Sequence, residues 1–337
     1  MEVFFINRLE FLLKLEGYKN LVLFSPSGAL LNEASFDRGV QQLQQLGYAI
    51  HCLPQVRSRQ QRFAGSDLER IHAIDAVCHM ASPSVLMASR GGYGLSRLLG
   101  QLKLPELLKA LCNKAHILCG HSDFTALQLA LLAEYCRTES LQAPNTRLRM
   151  LHGPMVCFDF GAEQGADSET ARYFELATQQ NSVNVVWDSV RACPHWASST
   201  LVGPVWGGNL VMLCSVLGTP YFPMIQGGIL ILEDVNEPVY KIERMLFQLL
   251  HAGVLQQQLA IVMGNFTEPP PIAHDEGYNL TSAVAAIQAY VDVPILMDFP
   301  FGHCTPKACW FQGQTAQLTL QSMEGGGLHC TLQQQLL

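Results

Sequence analysis

The sequence is poor in charged residues and contains no long apolar run. Only 15% of its 337 residues are charged, and 28 Asp and Glu against 21 Lys and Arg give a formal net charge of −7. A nucleic-acid-binding surface usually needs a basic patch, so this balance argues against nucleic acid as a partner. No apolar run approaches the roughly 18 residues of a membrane helix. We therefore expect a globular protein of about two domains that binds neither nucleic acid nor membrane.

The chain also lacks the marks of an oxidising compartment. The N-terminal segment has the acidic Glu2 near its start, and Asn7 and Arg8 interrupt its apolar part. Such a segment is a poor secretory signal. The eleven cysteines are odd in number and form no C-x-x-C pair. We interpret them as reduced thiols in a cytoplasmic protein.

Four metal-ligand residue types lie close together in the sequence, at Cys112, His116, Cys119 and His121. Alternation along a strand would place Cys119 and His121 on one face and His116 on the other. Buried cysteines and an incidental histidine are therefore favoured over a metal site.

A glycine-rich segment covers residues 90–94, Arg-Gly-Gly-Tyr-Gly. It lacks the Lys-Ser/Thr pair of a phosphate loop, and its glycines do not fit G-x-G-x-x-G. A tight turn that needs positive φ and a backbone that approaches a substrate closely are both compatible with it.

The most informative segment surrounds Ser122. Residues 115–119 form an apolar run of strand length, Gly120 interrupts it, and helical spacing then begins at Phe124. A serine on such a strand-to-helix turn is exposed beside the helix start, as in a nucleophile elbow, although Phe124 breaks the usual G-x-S-x-G pattern. From these residues alone, Ser122 or Asp123 is more simply a helix cap.

Strands and helices alternate through the first half of the chain. Residues 20–24, 48–53, 84–88 and 115–119 look like strands, with helical spacing between them. This order predicts an α/β fold with a parallel sheet, whose sites lie beyond the carboxyl ends of the strands. The loops 25–28, 90–94 and 120–123 should meet at that edge. We place an N-terminal α/β domain at 1–165, a linker region at 166–200 and a C-terminal domain at 201–337.

A serine nucleophile needs a general base, and the base needs an orienting acceptor. His121 adjoins Ser122, whereas His152 and His303 each follow a probable strand. Glu233 follows an apolar strand and could orient a histidine or pair with a nearby cation at a solvated loop. Composition and spacing do not choose among these alternatives.

Several segments together resemble the LD-carboxypeptidase family of serine peptidases, the muramoyl-tetrapeptide carboxypeptidases. They occur in family order over most of the chain. The segments are Ser-Pro-Ser-Gly at 25–28, Ala-Gly-Ser-Asp-Leu-Glu-Arg at 64–70, Ser-Arg-Gly-Gly-Tyr-Gly at 89–94, Gly-His-Ser-Asp-Phe-Thr-Ala-Leu at 120–127, His-Gly-Pro-Met at 152–155, Gly-Gly-Asn-Leu at 207–210, the segment 232–246 that begins Leu-Glu-Asp, and Pro-Phe-Gly-His at 300–303.

The resemblance implies a catalytic triad of Ser122 as nucleophile, His303 as general base and Glu233 as its orienting carboxylate. It further implies an oxyanion hole from the backbone N–H groups of Gly92 and Asp123. The implied fold has an α/β N-terminal domain with the serine and a smaller, β-rich C-terminal domain with the glutamate and histidine.

By the same resemblance, the protein is a cytoplasmic homodimer without metal or cofactor. It would release the terminal D-alanine from murein tetrapeptide, or a related muropeptide, by cutting an L,D bond in cell-wall recycling. Arg90 and Asn209 are candidate contacts for the charged groups of that substrate.

Two departures from the family pattern bear on the substrate. Trp310 and Phe311 stand where a Leu-Pro pair is usual, and could narrow the entrance, while His121 replaces an aromatic residue common before the nucleophile. Relatives that hydrolyse microcin C-type acyl-adenylates share the triad, and Trp187, Trp196 or Trp310 could stack on an adenine. A catalytically silent binding protein on the same fold is a further alternative.

Overall fold

The computed structural model describes residues 17–139, 147–189, 198–267, 269–270, 273–324 and 326–336. The sequence predicts an extension with a short helix over residues 1–19, and the first sixteen of these lie outside the described ranges. In the described part, the strands are β1 (Asn20–Phe24), β2 (Ala49–Cys52), β3 (Val85–Ala88), β4 (Ile117–Gly120), β5 (Arg149–His152), β6 (Ser182–Ser189), β7 (Ser199–Asn209), β8 (Ile229–Val235), β9 (Ala260–Thr267), β10 (Ile295–Leu296), β11 (Trp310–Gln312), β12 (Thr315–Ser322) and β13 (Leu328–Gln335).

The first sheet has six strands in the order β11-β5-β4-β3-β1-β2. Strands β1 to β5 pair in parallel, and β11 is antiparallel to β5. The strands β3, β4 and β5 are buried along their whole length, as expected for a parallel sheet covered on both faces. Because β1, β3 and β4 are adjacent and parallel, the loops that follow them leave the same edge of the sheet, as the sequence predicts.

The helices of the described residues pack around this framework. They are α1 (Glu33–Gln45), α2 (Asp67–Cys78), α3 (Leu104–Lys114), α4 (Thr125–Thr138), α5 (Ser168–Gln179), α6 (Leu210–Val216), α7 (Val239–His251) and α8 (Leu280–Gln288). The sequence Ser-Asp-Leu-Glu at 66–69 predicts a capping box at the start of α2. It is confirmed, since the Ser66 hydroxyl accepts from the Glu69 N–H and the Glu69 carboxylate accepts from the Ser66 N–H.

The second sheet has seven strands in the order β10-β9-β8-β7-β12-β13-β6. Strands β7 to β10 pair in parallel, whereas β12, β13 and β6 continue the sheet with antiparallel pairing. The three glycines at 325–327, between two apolar stretches, predict a hairpin, and β12 and β13 form that antiparallel pair. The α/β architecture with a parallel N-terminal sheet and a sheet-rich C-terminal part is confirmed.

The two sheets are joined by secondary structure as well as by side chains. Strand β11 comes from the C-terminal part of the chain but completes the first sheet beside β5. Residues 166–200, expected as a linker, include helix α5 and strand β6, and β6 is the edge strand of the second sheet. The backbone N–H of Asn209 donates to Thr125 Oγ1 at 3.2 Å, which ties the end of β7 to the start of α4. The domain boundaries given above stay a prediction.

None of the helices in the ranges just given is long and apolar enough to cross a lipid bilayer.

Candidate active site

Ser122 lies on a sharp turn between β4 and α4. Its φ of 63° is in the left-handed region, which residues other than glycine seldom adopt. Gly120 makes the turn possible, because a Cβ at that position would lie 2.6 Å from the ring of Phe124. A single turn of 3₁₀ helix from Ser122 to Phe124 then leads into α4. Strained serines of this kind concentrate at functional sites.

The turn also places Ser122 at the positive end of α4. The first backbone N–H groups of a helix have no partner within the helix, and its dipole favours negative charge nearby. An oxyanion that forms beside Ser122 would therefore be stabilised by the helix start.

The imidazole of His303 connects Ser122 to Glu233. Its Nε2 lies 3.2 Å from Ser122 Oγ, and its Nδ1 lies 2.9 Å from Glu233 Oε2. Since the carboxylate can only accept, Nδ1 carries the proton and donates to Glu233. Nε2 is then the acceptor for the Ser122 hydroxyl. The three residues implied by the resemblance thus lie in one chain of hydrogen bonds.

Glu233 is fully buried near the end of β8 and is held from its far side. The Asn209 side-chain amide donates to Glu233 Oε1 at 3.2 Å and to Asp234 Oδ1 at 3.0 Å, while its carbonyl accepts from the N–H of Met212. Asn209 was expected to contact substrate. It is instead buried behind the glutamate, and its amide is fully used in fixing the carboxylates and capping α6, so that expectation is corrected.

Asp234 is a second buried carboxyl, next to Glu233. Burial and the neighbouring charge of Glu233 raise the pKa of Asp234 to about 6. Its oxygens accept from the backbone N–H groups of Val211 and Val235. With the Asn209 amide, these bonds tie the carboxyl to the end of β8 and the start of α6.

The glycine-rich segment 90–94 packs directly against Ser122. A Cβ at Gly91 would lie 2.8 Å from Ser122 Cβ and 2.9 Å from its Oγ, so only glycine fits there without displacement. The Gly91 carbonyl accepts from the N–H of Gly28 at 3.2 Å. The side chain of Asp123 accepts from the N–H of Leu95 at 3.1 Å, and burial raises the pKa of that carboxyl. This arrangement fixes the Gly91–Gly92 peptide beside the serine.

A pocket of about 210 Å³ opens over Ser122 and His303. Among the described residues that line the pocket, Arg90 is the only lysine or arginine. The Arg90 guanidinium donates to the Ala29 carbonyl at 2.9 Å, and burial lowers its pKa. Leu31 and Phe158, which are 79% and 49% exposed, form an apolar rim. The pocket thus combines an apolar rim with a partly buried cation.

Other candidates from the sequence lie away from the pocket. His152 is buried, and its ring stacks on Trp310 with centroids 4.1 Å apart, so it does not reach Ser122. Trp310 and Phe311 are both fully buried in β11, which corrects the expectation that they narrow the entrance. Trp187, on β6 of the second sheet, donates to the Met297 carbonyl, and Trp196 lies outside the described residues.

The four Cys and His residues between 112 and 121 make separate contacts and do not share one site. His116 Nδ1 accepts from the Ser84 N–H, its Nε2 faces the Met80 carbonyl, and burial lowers its pKa to about 4. Within the described ranges, no three His, Cys, Asp or Glu side chains converge as a metal site.

Sequence reasoning missed three residues of the cluster around His121 and His303, namely Phe158, Asp159 and Lys307. Asp159 and Lys307 form a buried ion pair at 2.9 Å, and Lys307 Nζ lies 4.9 Å from the Phe158 ring centroid. The available signal was Lys307 itself, which directly precedes the apolar residues 308–311. An unpaired charge is unusual in such a buried segment, so the lysine indicates a buried partner of opposite charge.

A hydroxyl, an imidazole and a buried carboxylate in successive hydrogen bonds are the arrangement of the serine hydrolases. Two family models match the chain, the LD-carboxypeptidase N-terminal domain over residues 21–143 and the LD-carboxypeptidase C-terminal domain over residues 202–318. The protein therefore belongs to the LD-carboxypeptidase family.

Individual relatives agree with this membership. A putative carboxypeptidase of Streptomyces coelicolor is 33% identical over 74% of each chain. The murein tetrapeptide carboxypeptidase of Pseudomonas aeruginosa is 27% identical over 88% of this chain and 92% of that protein. The crystal structure of muramoyltetrapeptide carboxypeptidase from Oxalobacter formigenes superimposes with a TM-score of 0.80 at 29% identity, over 94% of this chain and all of the other.

The same fold occurs in the microcin C7 self-immunity protein MccF in complex with aspartyl sulfamoyl adenosine. That structure matches with a TM-score of 0.76 at 20% identity, over 95% of this chain and 97% of the other. At this identity the match concerns the fold alone.

Proposed function

We propose that the protein is a serine carboxypeptidase that releases the terminal D-alanine of murein tetrapeptide by cleaving its L,D bond. The observation that carries the proposal is the chain of contacts from Ser122 Oγ through His303 to Glu233, at 3.2 and 2.9 Å. Homologues named for murein peptide cleavage support the substrate class.

In the proposed reaction, Ser122 Oγ attacks the carbonyl carbon of the scissile bond. His303 Nε2 takes the hydroxyl proton as the bond forms, while its Nδ1–H keeps the hydrogen bond to Glu233. The same proton then passes to the nitrogen of the departing D-alanine, which leaves an acyl-enzyme on Ser122. Water, deprotonated by His303, releases the peptide acid and restores the serine.

The tetrahedral intermediates carry a negative oxygen that needs hydrogen-bond donors. We assign that role to the backbone N–H groups of Gly92 and Asp123. The support is that Asp123 stands at the helix start and that Gly91 packs within van der Waals range of the serine. Such fixed donors often contribute the largest single share of catalysis.

Arg90 is the proposed anchor for the D-alanine carboxylate. It is a partly buried cation in a pocket of about 210 Å³ that also contains Ser122 and His303. A carboxylate held there restricts cleavage to the last peptide bond, because a longer chain would have to extend through the arginine. Recognition of a terminal carboxylate by guanidinium is bidentate and therefore specific in orientation.

The stereochemical claim is tested by offering tetrapeptides that end in D-alanine or in L-alanine. The proposal expects free alanine from the D form and little from the L form, because an L leaving group misplaces its nitrogen at His303. Similar rates for both peptides would remove the argument. Labelling of Ser122 by a serine-directed phosphonate separates an enzyme from a silent binding protein on this fold.

The second candidate activity is hydrolysis of microcin C-type acyl-adenylates. One observation favours it, since Phe158 is a half-exposed aromatic ring at the rim of the pocket and could stack on a base. Incubation with an acyl-sulfamoyl adenylate, with Phe158→Leu as the matched variant, decides the point. Cleavage of the adenylate alone, weakened by Phe158→Leu, would assign the protein to this activity.

A homodimeric state and a cytoplasmic location also belong to the proposal. Sedimentation equilibrium of the purified chain and fractionation of cells that express it test them directly.

A further inference from the structure

A buried ion pair contacts His121, the residue before Ser122. Lys307 Nζ is 2.9 Å from Asp159 Oδ1, and both side chains are excluded from solvent. The other oxygen of Asp159 accepts from the Met155 N–H at 2.7 Å. Phe158 covers the ammonium on one side with its ring face. The third partner of the ammonium is His121, whose Nε2 lies 2.8 Å away.

These contacts define the state of the His121 ring. Its Nδ1 lies 2.9 Å from the Gly153 carbonyl, which can only accept, so Nδ1 carries a proton. Lys307 has three N–H donors and no acceptor, so Nε2 must be the unprotonated nitrogen. His121 is therefore held as the neutral tautomer with its proton on Nδ1. Burial, together with the charge of Lys307, also lowers the pKa of His121 well below its ordinary value.

His121 in turn packs against the catalytic histidine. The rings of His121 and His303 meet edge to face, with centroids 5.2 Å apart. Phe158 meets the His303 ring in the same manner at 6.3 Å. His303 thus has hydrogen bonds to Ser122 and Glu233 and packing contacts with the residues of the buried cluster.

We propose that Lys307, held by Asp159, is a positioning residue that keeps His121 neutral beside His303. The inference rests on the proposed role of His303 as the base, but nothing in the family pattern used above assigns Lys307, Asp159 or His121.

The consequence for catalysis follows from the charge that develops on His303. When His303 takes the serine proton it becomes an imidazolium. A second imidazolium with its ring centre 5.2 Å away would oppose that step in a buried site. The ion pair prevents this, because the ammonium occupies the only free nitrogen of His121 and the carboxylate cancels the ammonium's own charge.

The other ionisable groups around His121 and His303 are few among the described residues. They comprise His152 on β5, Glu233 and Asp234 on β8, Arg90 in the pocket, and the thiols of Cys119, Cys304 and Cys309. Burial lowers the pKa of His152 to about 3 and raises that of all three thiols, so this histidine and these thiols stay uncharged near neutrality. Asp234, whose pKa is raised to about 6, contacts neither Lys307 nor Asp159 among its hydrogen bonds, so it titrates alike in the wild-type protein and in the variants. His121 is then the group whose charge the ion pair controls.

The test removes the ion pair in two ways and measures kcat/KM on murein tetrapeptide as a function of pH. In Lys307→Met, Asp159 loses its partner and draws a proton onto His121 Nε2. We expect kcat/KM to fall by about tenfold or more near neutral pH and to approach the wild-type value in alkaline solution, where His121 is neutral again. The double variant Lys307→Met/Asp159→Asn has no unpaired charge and should regain the wild-type pH profile.

The matched control is Lys103→Met, because the Lys103 side chain is 74% exposed and its ion-pair partner among the described residues, Glu106, lies 3.5 Å away. It should leave kcat/KM unchanged at every pH. A loss in Lys307→Met that is the same at every pH and persists in the double variant would mean that the lysine is merely structural. An unchanged profile in Lys307→Met would equally overturn the proposal.

A spectroscopic measurement keeps the inference testable if Lys307→Met does not fold. In the wild-type protein labelled with ¹⁵N-histidine, His121 should have a protonated Nδ1 and an unprotonated Nε2 throughout the neutral range. Titration of His121 in that range would refute the proposal. This readout needs no substrate, so it fails or succeeds independently of the proposed peptidase activity.

Discussion

Glu233→Gln is the substitution whose effect the hydrogen bonds define most closely. The carboxylate accepts from His303 Nδ1 at 2.9 Å on one oxygen and from Asn209 Nδ2 at 3.2 Å on the other. A glutamine has only one oxygen, so its NH₂ group must face one of these two donors. Asn209 cannot easily turn to accommodate it, because the Asn209 carbonyl accepts from Met212 N–H at 3.1 Å.

The glutamine NH₂ group should therefore face His303. Nδ1 must then accept, the proton moves to Nε2, and Nε2 can no longer take the proton of Ser122. Loss of the correct tautomer in a catalytic triad lowers kcat by roughly 10³–10⁴, which corresponds to about 4–5.5 kcal/mol of transition-state stabilisation. The fold should be retained, since the side chain keeps its size.

The assay is the release of D-alanine from murein tetrapeptide, measured with a D-amino-acid oxidase. Glu237→Gln is the matched control, because it makes the same chemical change at a partly exposed glutamate whose contact is Lys241. The control should retain full activity. A Glu233→Gln enzyme that keeps more than a tenth of the wild-type kcat would refute the assignment of Glu233.

Further predictions concern the serine, the glycine loop and a buried histidine. Ser122→Ala should fold normally and lose about 10⁴ or more in kcat, and a variant with a tenth of wild-type activity would exclude Ser122 as nucleophile. Gly91→Ala places a methyl group 2.8 Å from Ser122 Cβ and should lower kcat at least about tenfold with little change in Tm, whereas Gly100→Ala, with nothing nearer than 3.6 Å, should have little effect on kcat. Burial lowers the pKa of His152 to about 3, below the roughly 6.5 of an unfolded histidine. The stabilising contribution of the neutral ring is therefore complete above about pH 6.5 and is lost as the pH falls below it. Protonation of this histidine in the unfolded chain should lower the free energy of unfolding by about 2 kcal/mol between about pH 7.5 and about pH 5. The free energy measured by urea unfolding should therefore depend less steeply on pH in His152→Gln than in the wild-type protein. An equally steep dependence would contradict the assignment.

The local geometry of the turn at Ser122 could be predicted because its causes are close together in the sequence. An apolar run, the interrupting Gly120 and helical spacing from Phe124 are read within a dozen residues, and they produce β4, the turn and α4. The capping box at Ser66 was predictable for the same reason. The parallel direction of β1, β3 and β4 followed from the alternation of strands and helices, whereas their order in the sheet was not predicted.

The environment of each buried polar residue could not be predicted in this way. Asn209 looked like a substrate contact, but the packing of β7 beside β8 turned its amide toward Glu233. Trp310 looked like an entrance residue, but pairing of β11 with β5 buried it against His152. Burial depends on which strand becomes the neighbour, and strand pairing is decided by contacts distant in sequence.

The sequence by itself determined the fold class, the turn that exposes Ser122 and, through resemblance, the family. Only the tertiary structure decided that His303, 181 positions away, lies at Ser122 while His152 does not. It alone revealed that Lys307 and Asp159 pair behind His121. The reason is physical: short-range spacing encodes helices, strands and turns, whereas hydrogen bonds and ion pairs between distant residues depend on how the two sheets pack against each other.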